Sequence, residues 1–187
     1  MKKIVAVVGD GKIEKESLKY KLAFEMGKAL IDSGYRVQSG GLGGIMEAVF
    51  QGAKSSENYQ DGDTIAIIPS FDRSEANNYA DIIIPTGIDV MRNGMVVNAD
   101  GVIAIGGGSG TLSEIALAWS LFRLVIAFTN VDGWSSELAG RKLDSRERYK
   151  AIDDKIYGVE TPQQAIEILK KYIDVYTRYH HGIKYRG

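Results

Sequence analysis

Short runs of β-branched and aliphatic residues recur along the chain, and between them apolar residues return at steps of three and four. Lys3 to Val8 is the first such run, near-continuously apolar as a strand buried on both faces must be. Leu18, Leu22, Met26, Ala29 and Leu30 then share one helical face, and Gly34 stops that helix. The same pattern predicts strands at Tyr35 to Gln38, Thr64 to Ile68, Asp81 to Pro85, Gly101 to Ile105, Leu124 to Thr129 and Lys155 to Val159. Helices are predicted at Gly44 to Ser55, Val90 to Asn98, Thr111 to Phe122 and Thr161 to Ile173, the last with Pro162 in its first turn. Strands that alternate with helices form βαβ units. The expected fold class is therefore α/β: three layers, a mostly parallel sheet of about six or seven strands, and helices on both faces. Ligands of such sheets bind at the carboxyl ends of the strands. Residues 1–175 read as one domain and 176–187 as a basic, aromatic tail.

Charge and composition narrow the chemistry. The chain has 187 residues with 23 basic against 24 acidic, a net charge of −1, so it carries no broad field for nucleic acid or a membrane surface. It contains no cysteine, which excludes disulfides, thiolate metal sites and a cysteine nucleophile. Its two histidines, His180 and His181, both sit in the tail, so no histidine triad or histidine-ligated metal is expected in the body. Met1 to Gly9 reads as a buried first strand rather than a signal peptide. The longest apolar stretch, Ile115 to Phe128, is interrupted by Ser120 and Arg123 and is too short to span a bilayer. A cytoplasmic protein is expected. Asp132 to Ile152 is polar and is either a lid or an ordinary surface connection. The tail from Tyr176 onward suits a subunit contact or fraying better than nucleic-acid binding, because the rest of the chain adds no positive charge.

Glycine is abundant, 22 residues against three prolines, and eight of the 22 fall in two strand-to-helix loops. The first reads Ser39-Gly40-Gly41-Leu42-Gly43-Gly44-Ile45-Met46, the second Gly106-Gly107-Gly108-Ser109-Gly110-Thr111-Leu112-Ser113-Glu114. Each leads into a helix N-terminus, where unpaired N–H groups and the helix dipole favour an anion and glycine lets a phosphate approach the backbone. Tight turns alone would account for one or two glycines per loop. Neither loop ends in the Gly-Lys-Ser/Thr of a nucleotide-triphosphate loop. After the first strand, where a dinucleotide fingerprint belongs, Gly9-Asp10-Gly11-Lys12-Ile13-Glu14 has Glu14 in place of the third glycine. Thr111 is placed to donate to a phosphate oxygen. Glu114 either points back toward the loop or forms a capping box with Thr111; the spacing fits both.

These two loops resemble the signature motifs of the Lonely Guy (LOG) proteins, long mislabelled lysine decarboxylases, and of their relatives the molybdenum-cofactor carrier proteins. Gly40, Gly41, Gly44 and Met46 match the pattern GGGxxGxM, and Gly107, Gly108, Gly110, Thr111 and Glu114 match PGGxGTxxE with Gly106 in place of proline. The resemblance covers roughly residues 1–130 and implies a Rossmann-like fold, a homodimer or higher homo-oligomer, and a small-molecule phosphate ligand. It implies binding of a nucleoside monophosphate or pterin phosphate at Gly40, Gly41, Gly43, Gly44, Met46, Arg92, Gly107, Gly108, Ser109, Gly110 and Thr111. No cofactor is required; the molybdenum cofactor or a nucleotide enters as the ligand. LOG enzymes hydrolyse the N-glycosidic bond of nucleoside 5′-monophosphates with the motif glutamate and an Arg-Lys pair, so Glu114 and Arg92 are the candidate catalytic residues. Counting back from Asp100 places that pair at Met91 and Arg92, with one cation lost, which brings the chain closer to the carrier branch; Arg92 could also simply cap a helix. Asp132-Gly133-Trp134 is a further similarity to that branch, and Met46 with Met95 is expected to border a flat ring. A non-catalytic interaction module is the third class open to this sequence.

Overall fold

In the computed structural model, which describes residues 1–180, the first apolar run becomes β1 (Ile4–Gly9), the centre of a seven-stranded, wholly parallel sheet. The other strands are β2 (Arg36–Ser39), β3 (Thr64–Ile68), β4 (Ile82–Pro85), β5 (Gly101–Ile105), β6 (Leu124–Phe128) and β7 (Tyr157–Val159). Their order is β4-β3-β2-β1-β5-β6-β7. The chain winds outward from β1 in one direction and from β5 in the other, so the topological switch lies between these two strands. Gly9 stands opposite Ile105 in the register, which brings the loops that leave β1 and β5 side by side.

Alternation along β1 sorts the helices into two layers. Val5 and Val7 face the cluster built by α1 (Leu18–Asp32), α2 (Ile45–Lys54) and α6 (Pro162–Tyr172). Ala6 and Val8 face α3 (Asn93–Val96) and α4 (Ser109–Ser120), with Trp119 packed in the same cluster as Ala104 and Ala127. Helices α1 and α2 meet at Gly27 and Gly52, where any Cβ would strike the carbonyl of Val49 or Phe24. The capping box falls at α6: the Thr161 side chain accepts from the Gln164 amide and the Gln164 side chain returns the bond.

Two elements differ from the expectation. Residues 90–98 do not form one helix; a 3-10 turn over Asp89–Arg92 runs into the single turn of α3, because Gly94 and the β-branched Val96 and Val97 give weak helical support. Helix α4 starts at Ser109 rather than Thr111, since extended Gly108 serves as its N-cap. The polar segment 132–152 is pinned and holds α5 (Trp134–Leu138): the Ser135 hydroxyl donates to the Phe128 carbonyl (2.8 Å). Further on, buried Arg148 makes two bonds to Asp154 (2.8 and 2.6 Å) and lies 3.5 Å over the Trp119 ring. Tyr176 is buried and donates to Asp154 (2.6 Å), so the first residue assigned to the tail packs in the domain core. Residues 181–187, including His181, lie outside the described residues. No helix among the described residues is long and apolar enough to cross a membrane.

Candidate functional site

At the carboxyl edge of β1 and β5 the loops enclose a cavity of about 500 Å³. One wall is the start of α4. The amides of Gly108, Ser109, Gly110 and Thr111 have no partner among the described residues, and no side chain caps the helix. These are the orphan donors of a twelve-residue helix, with the positive end of its dipole behind them.

Arg92 stands in the cavity wall beside this helix. The residue is 8% exposed, and its Nε and Nη1 have no hydrogen-bond partner among the described residues. Gly40 makes room for it: a Cβ there would sit 2.8 and 2.9 Å from the Arg92 Nη1 and Nη2 and 2.7 Å from the Met46 Sδ. Burial lowers the Arg92 pKa, opposed by the charges of Glu114 and Asp89, but a guanidinium starts so high that it stays charged. A buried, under-satisfied cation facing open space invites an anion.

Glu114 lines the same cavity, 8% exposed and without a hydrogen bond among the described residues. Burial pushes its pKa up to about 7, with Arg92 pulling the other way. A carboxyl titrating near neutrality in a cleft is suited to proton transfer or to charge stabilisation. The capping-box alternative does not hold. Gly108 is the cap, Thr111 is the third helical residue, and no bond joins Thr111 to Glu114.

The cavity brings together Gly40, Met46, Arg92, Gly108, Ser109, Gly110, Thr111 and Glu114. Gly41, Gly43, Gly44 and Gly107 do not line it, which corrects the expectation that both glycine loops are cradles along their whole length. Gly41 packs on Ala66 and Ile68, Gly43 lies against the Gly11 carbonyl, and Gly44 is wedged on the Asp10 and Gly11 backbone as the α2 cap. Gly107, at φ 96°, packs on Thr111 and has given its amide to the Asp10 Oδ2 (2.9 Å). The 132–135 turn braces the same loop: Gly106 N–H donates to the Ser135 Oγ (2.8 Å), and the Trp134 and Ser135 amides donate to the Gly107 and Gly106 carbonyls (3.0 Å each). Met95 is outside the cavity, so Met46 borders it without that partner.

Sequence reasoning missed the turn after β1. Gly9, Asp10, Gly11 and Lys12 all line the cavity, with Lys12 exposed at its rim. The signal for it in the sequence is position alone, at the end of the central strand. Counting also misplaced the neighbour of Arg92. Met91 is 77% exposed and outside the cavity, whereas Asn93 lines it and donates to the Ser113 Oγ (2.7 Å). A 3-10 turn, rather than an α-helical one, decides which residue faces inward.

Residues 2–166 match the SLOG cluster4 family along most of the chain. The chain belongs to that family. An uncharacterized protein of Archaeoglobus fulgidus is 39% identical to this SLOG cluster4 protein over 115 residues, 61% of this chain and 72% of that one. Among solved structures, the molybdenum cofactor binding protein of Rippkaea orientalis is 33% identical, with a TM-score of 0.76 over 92% of this chain and 98% of that one. The molybdenum cofactor carrier protein of Chlamydomonas reinhardtii is 25% identical, with a TM-score of 0.69 over 91% and 98%. The LOG-like, Rossmann-like superfamily anticipated from the two loops is thus the family of this SLOG cluster4 protein, and molybdenum-cofactor carriers are among its structural neighbours.

Proposed function

We propose that the protein binds a small phosphate ester, a nucleoside 5′-monophosphate or a pterin phosphate, in the cavity between β1 and β5. The observation that carries this reading is Arg92, buried and with two guanidinium nitrogens unpartnered among the described residues, opposite the uncapped amides of Gly108 to Thr111. Arg92 and those amides receive the phosphate, and Lys12 adds a second cation at the rim. The flat ring lies toward Met46 and Val90. The two relatives named for the molybdenum cofactor support a pterin phosphate as one ligand. Three or four charge-assisted contacts at about 1.5 to 3 kcal/mol each, less the cost of association, correspond to micromolar affinity. Calorimetry and thermal shift with inorganic phosphate, nucleoside monophosphates and pterin phosphates test this. Wild type gives heat and a raised Tm, and Arg92→Met loses both. Absence of binding to every phosphate ligand overturns the proposal. Met91 and Met95, exposed on the segment that carries Arg92, and Leu117, exposed on α4, support a homo-oligomer, and a monomeric mass by light scattering would refute that part.

Glu114 favours a second reading, phosphoribohydrolase activity. The C1′–N bond breaks with its electron pair leaving on the base, water adds to C1′ and gives up a proton, the base takes one up, and free base and ribose 5-phosphate result. The Glu114 carboxylate stabilises the oxocarbenium-like transition state or orients the water, while Arg92 and the amides hold the remote phosphate in place. Chromatography for free base after incubation with nucleoside monophosphates decides the matter: release that disappears in Glu114→Gln supports turnover, and no release from any nucleotide leaves binding alone.

A further inference from the structure

Asp10 is the acid of the cavity that neither proposed reading uses. It follows β1, and its backbone carbonyl accepts the Ile45 amide (2.9 Å), which ties the turn to the start of α2. The side chain is held as firmly. Its Oδ2 accepts the Gly107 amide (2.9 Å) and pairs with the Lys19 Nζ (2.8 Å), which in turn reaches Asp132 (3.1 Å). Burial pulls the Lys19 pKa down, but its bonds and charge interactions with Asp10 and Asp132 outweigh that and leave it above its ordinary value. All of these bonds fall on one oxygen. The Asp10 Oδ1 accepts nothing from the described residues, and Asp10 lines the cavity one residue away from the Gly108 amide, because Gly107 touches both.

A carboxylate beside an anion site repels phosphate unless it has a different task. Its negative charge is offset by Lys19, and its free oxygen can only accept. We infer that the Asp10 Oδ1 receives a hydrogen-bond donor of the bound ester, so that the site selects phosphate esters carrying a hydroxyl or ring N–H close to the phosphate over those without one. This inference rests on the proposed phosphate site and adds to it a rule of discrimination: Arg92 and α4 hold the anion, and Asp10 reads what is attached to it. Asp10 is pre-positioned for this by Gly107 and Lys19, so little ordering is needed on binding. The donor is either the diol of a ribose or an N–H of a pterin ring, and both meet the same oxygen.

The test compares four ligands by calorimetry on the full chain: inorganic phosphate, a ribonucleoside 5′-monophosphate, its 2′,3′-dideoxy analogue and a pterin phosphate. With wild type, the ribonucleotide or the pterin phosphate outbinds the dideoxynucleotide by roughly tenfold to a hundredfold, the range for one hydrogen bond to a charged group. In Asp10→Asn the free acceptor oxygen can be replaced by a donating amide, and that ratio collapses toward one. A preference for ribonucleotide over dideoxynucleotide identifies the sugar as the donor, and a preference confined to the pterin phosphate identifies the ring. Equal binding of the ribonucleotide, the dideoxynucleotide and the pterin phosphate by wild type overturns the inference even if the variant fails to fold, and so does a ratio that Asp10→Asn leaves intact. Failure of inorganic phosphate and of every ester to bind overturns instead the phosphate site itself.

Discussion

Replacing Glu114 with glutamine probes the electrostatics of the cavity without any ligand. The carboxyl is 8% exposed and accepts no hydrogen bond among the described residues, so ionising it in the folded protein places a charge where water is largely excluded. Burial raises its pKa from 4.5 to about 7, and Arg92 limits the rise. In the unfolded chain the same group ionises near the lower value. Between about pH 4.5 and 7 the folded state therefore binds one more proton than the unfolded state, and stability falls as pH rises through that window. At about 1.36 kcal/mol per pH unit, the gap amounts to about 3 kcal/mol, present in full below the unfolded pKa and lost once pH passes the folded one. Glutamine fills the same space and cannot ionise. Asp32, lowered by its bond from Lys28, and Asp144, lowered to about 2 by Arg146, act in the opposite sense at more acid pH and are common to both proteins. Their contribution cancels in the difference. Urea unfolding at pH 5, 6, 7 and 8, followed by fluorescence of buried Trp119, should show the glutamine variant gaining about 2 to 3 kcal/mol on wild type between the first and last pH. Parallel stabilities across the series would refute the burial argument for Glu114.

Gly40→Ala should displace Arg92, since the new methyl sits 2.8 Å from its Nη1 and pushes the guanidinium out of its place in the cavity wall; phosphate affinity is expected to drop about tenfold or more, and a calorimetric Kd equal to wild type would contradict the packing. Asp154→Ala should destabilise the fold by about 3 to 5 kcal/mol, because Arg148 would be left buried and unpaired and Tyr176 would lose its acceptor; a urea midpoint within 1 kcal/mol of wild type would show that this ion pair does not tie residues 148–154 to the C-terminal segment.

Much of the architecture was legible because buried parallel strands announce themselves as uninterrupted apolar runs. Ile4 to Val8, Val102 to Ile105 and Leu124 to Phe128 have that character, and all became central strands. Exposed or short elements were harder to read. The 3-10 turn over Asp89–Arg92 and the helix Trp134–Leu138 each span about one turn, too few residues for a period to show. The same limit applied to the site. Gly108, Gly110, Thr111 and Glu114 were found through spacing along a single loop and helix, where sequence distance and spatial distance agree.

Asp10, Lys12 and Asn93 were not found, because they reach the cavity only through pairing of β1 with β5 and the handedness of a short turn. The division among the eight loop glycines has the same origin. Their sequence states that the backbone must bend without side chains at these points, and it cannot state whether a ligand or another strand of backbone fills the space. By itself the sequence determined the βαβ order, the two glycine-rich strand-to-helix loops and the absence of cysteine chemistry, all of which follow from local residue type and period. Tertiary structure decided that Gly41, Gly43, Gly44 and Gly107 serve packing, that Arg92 is buried with two nitrogens unpartnered among the described residues, and that Asp10 lines the cavity, since each depends on contacts between residues far apart in the chain.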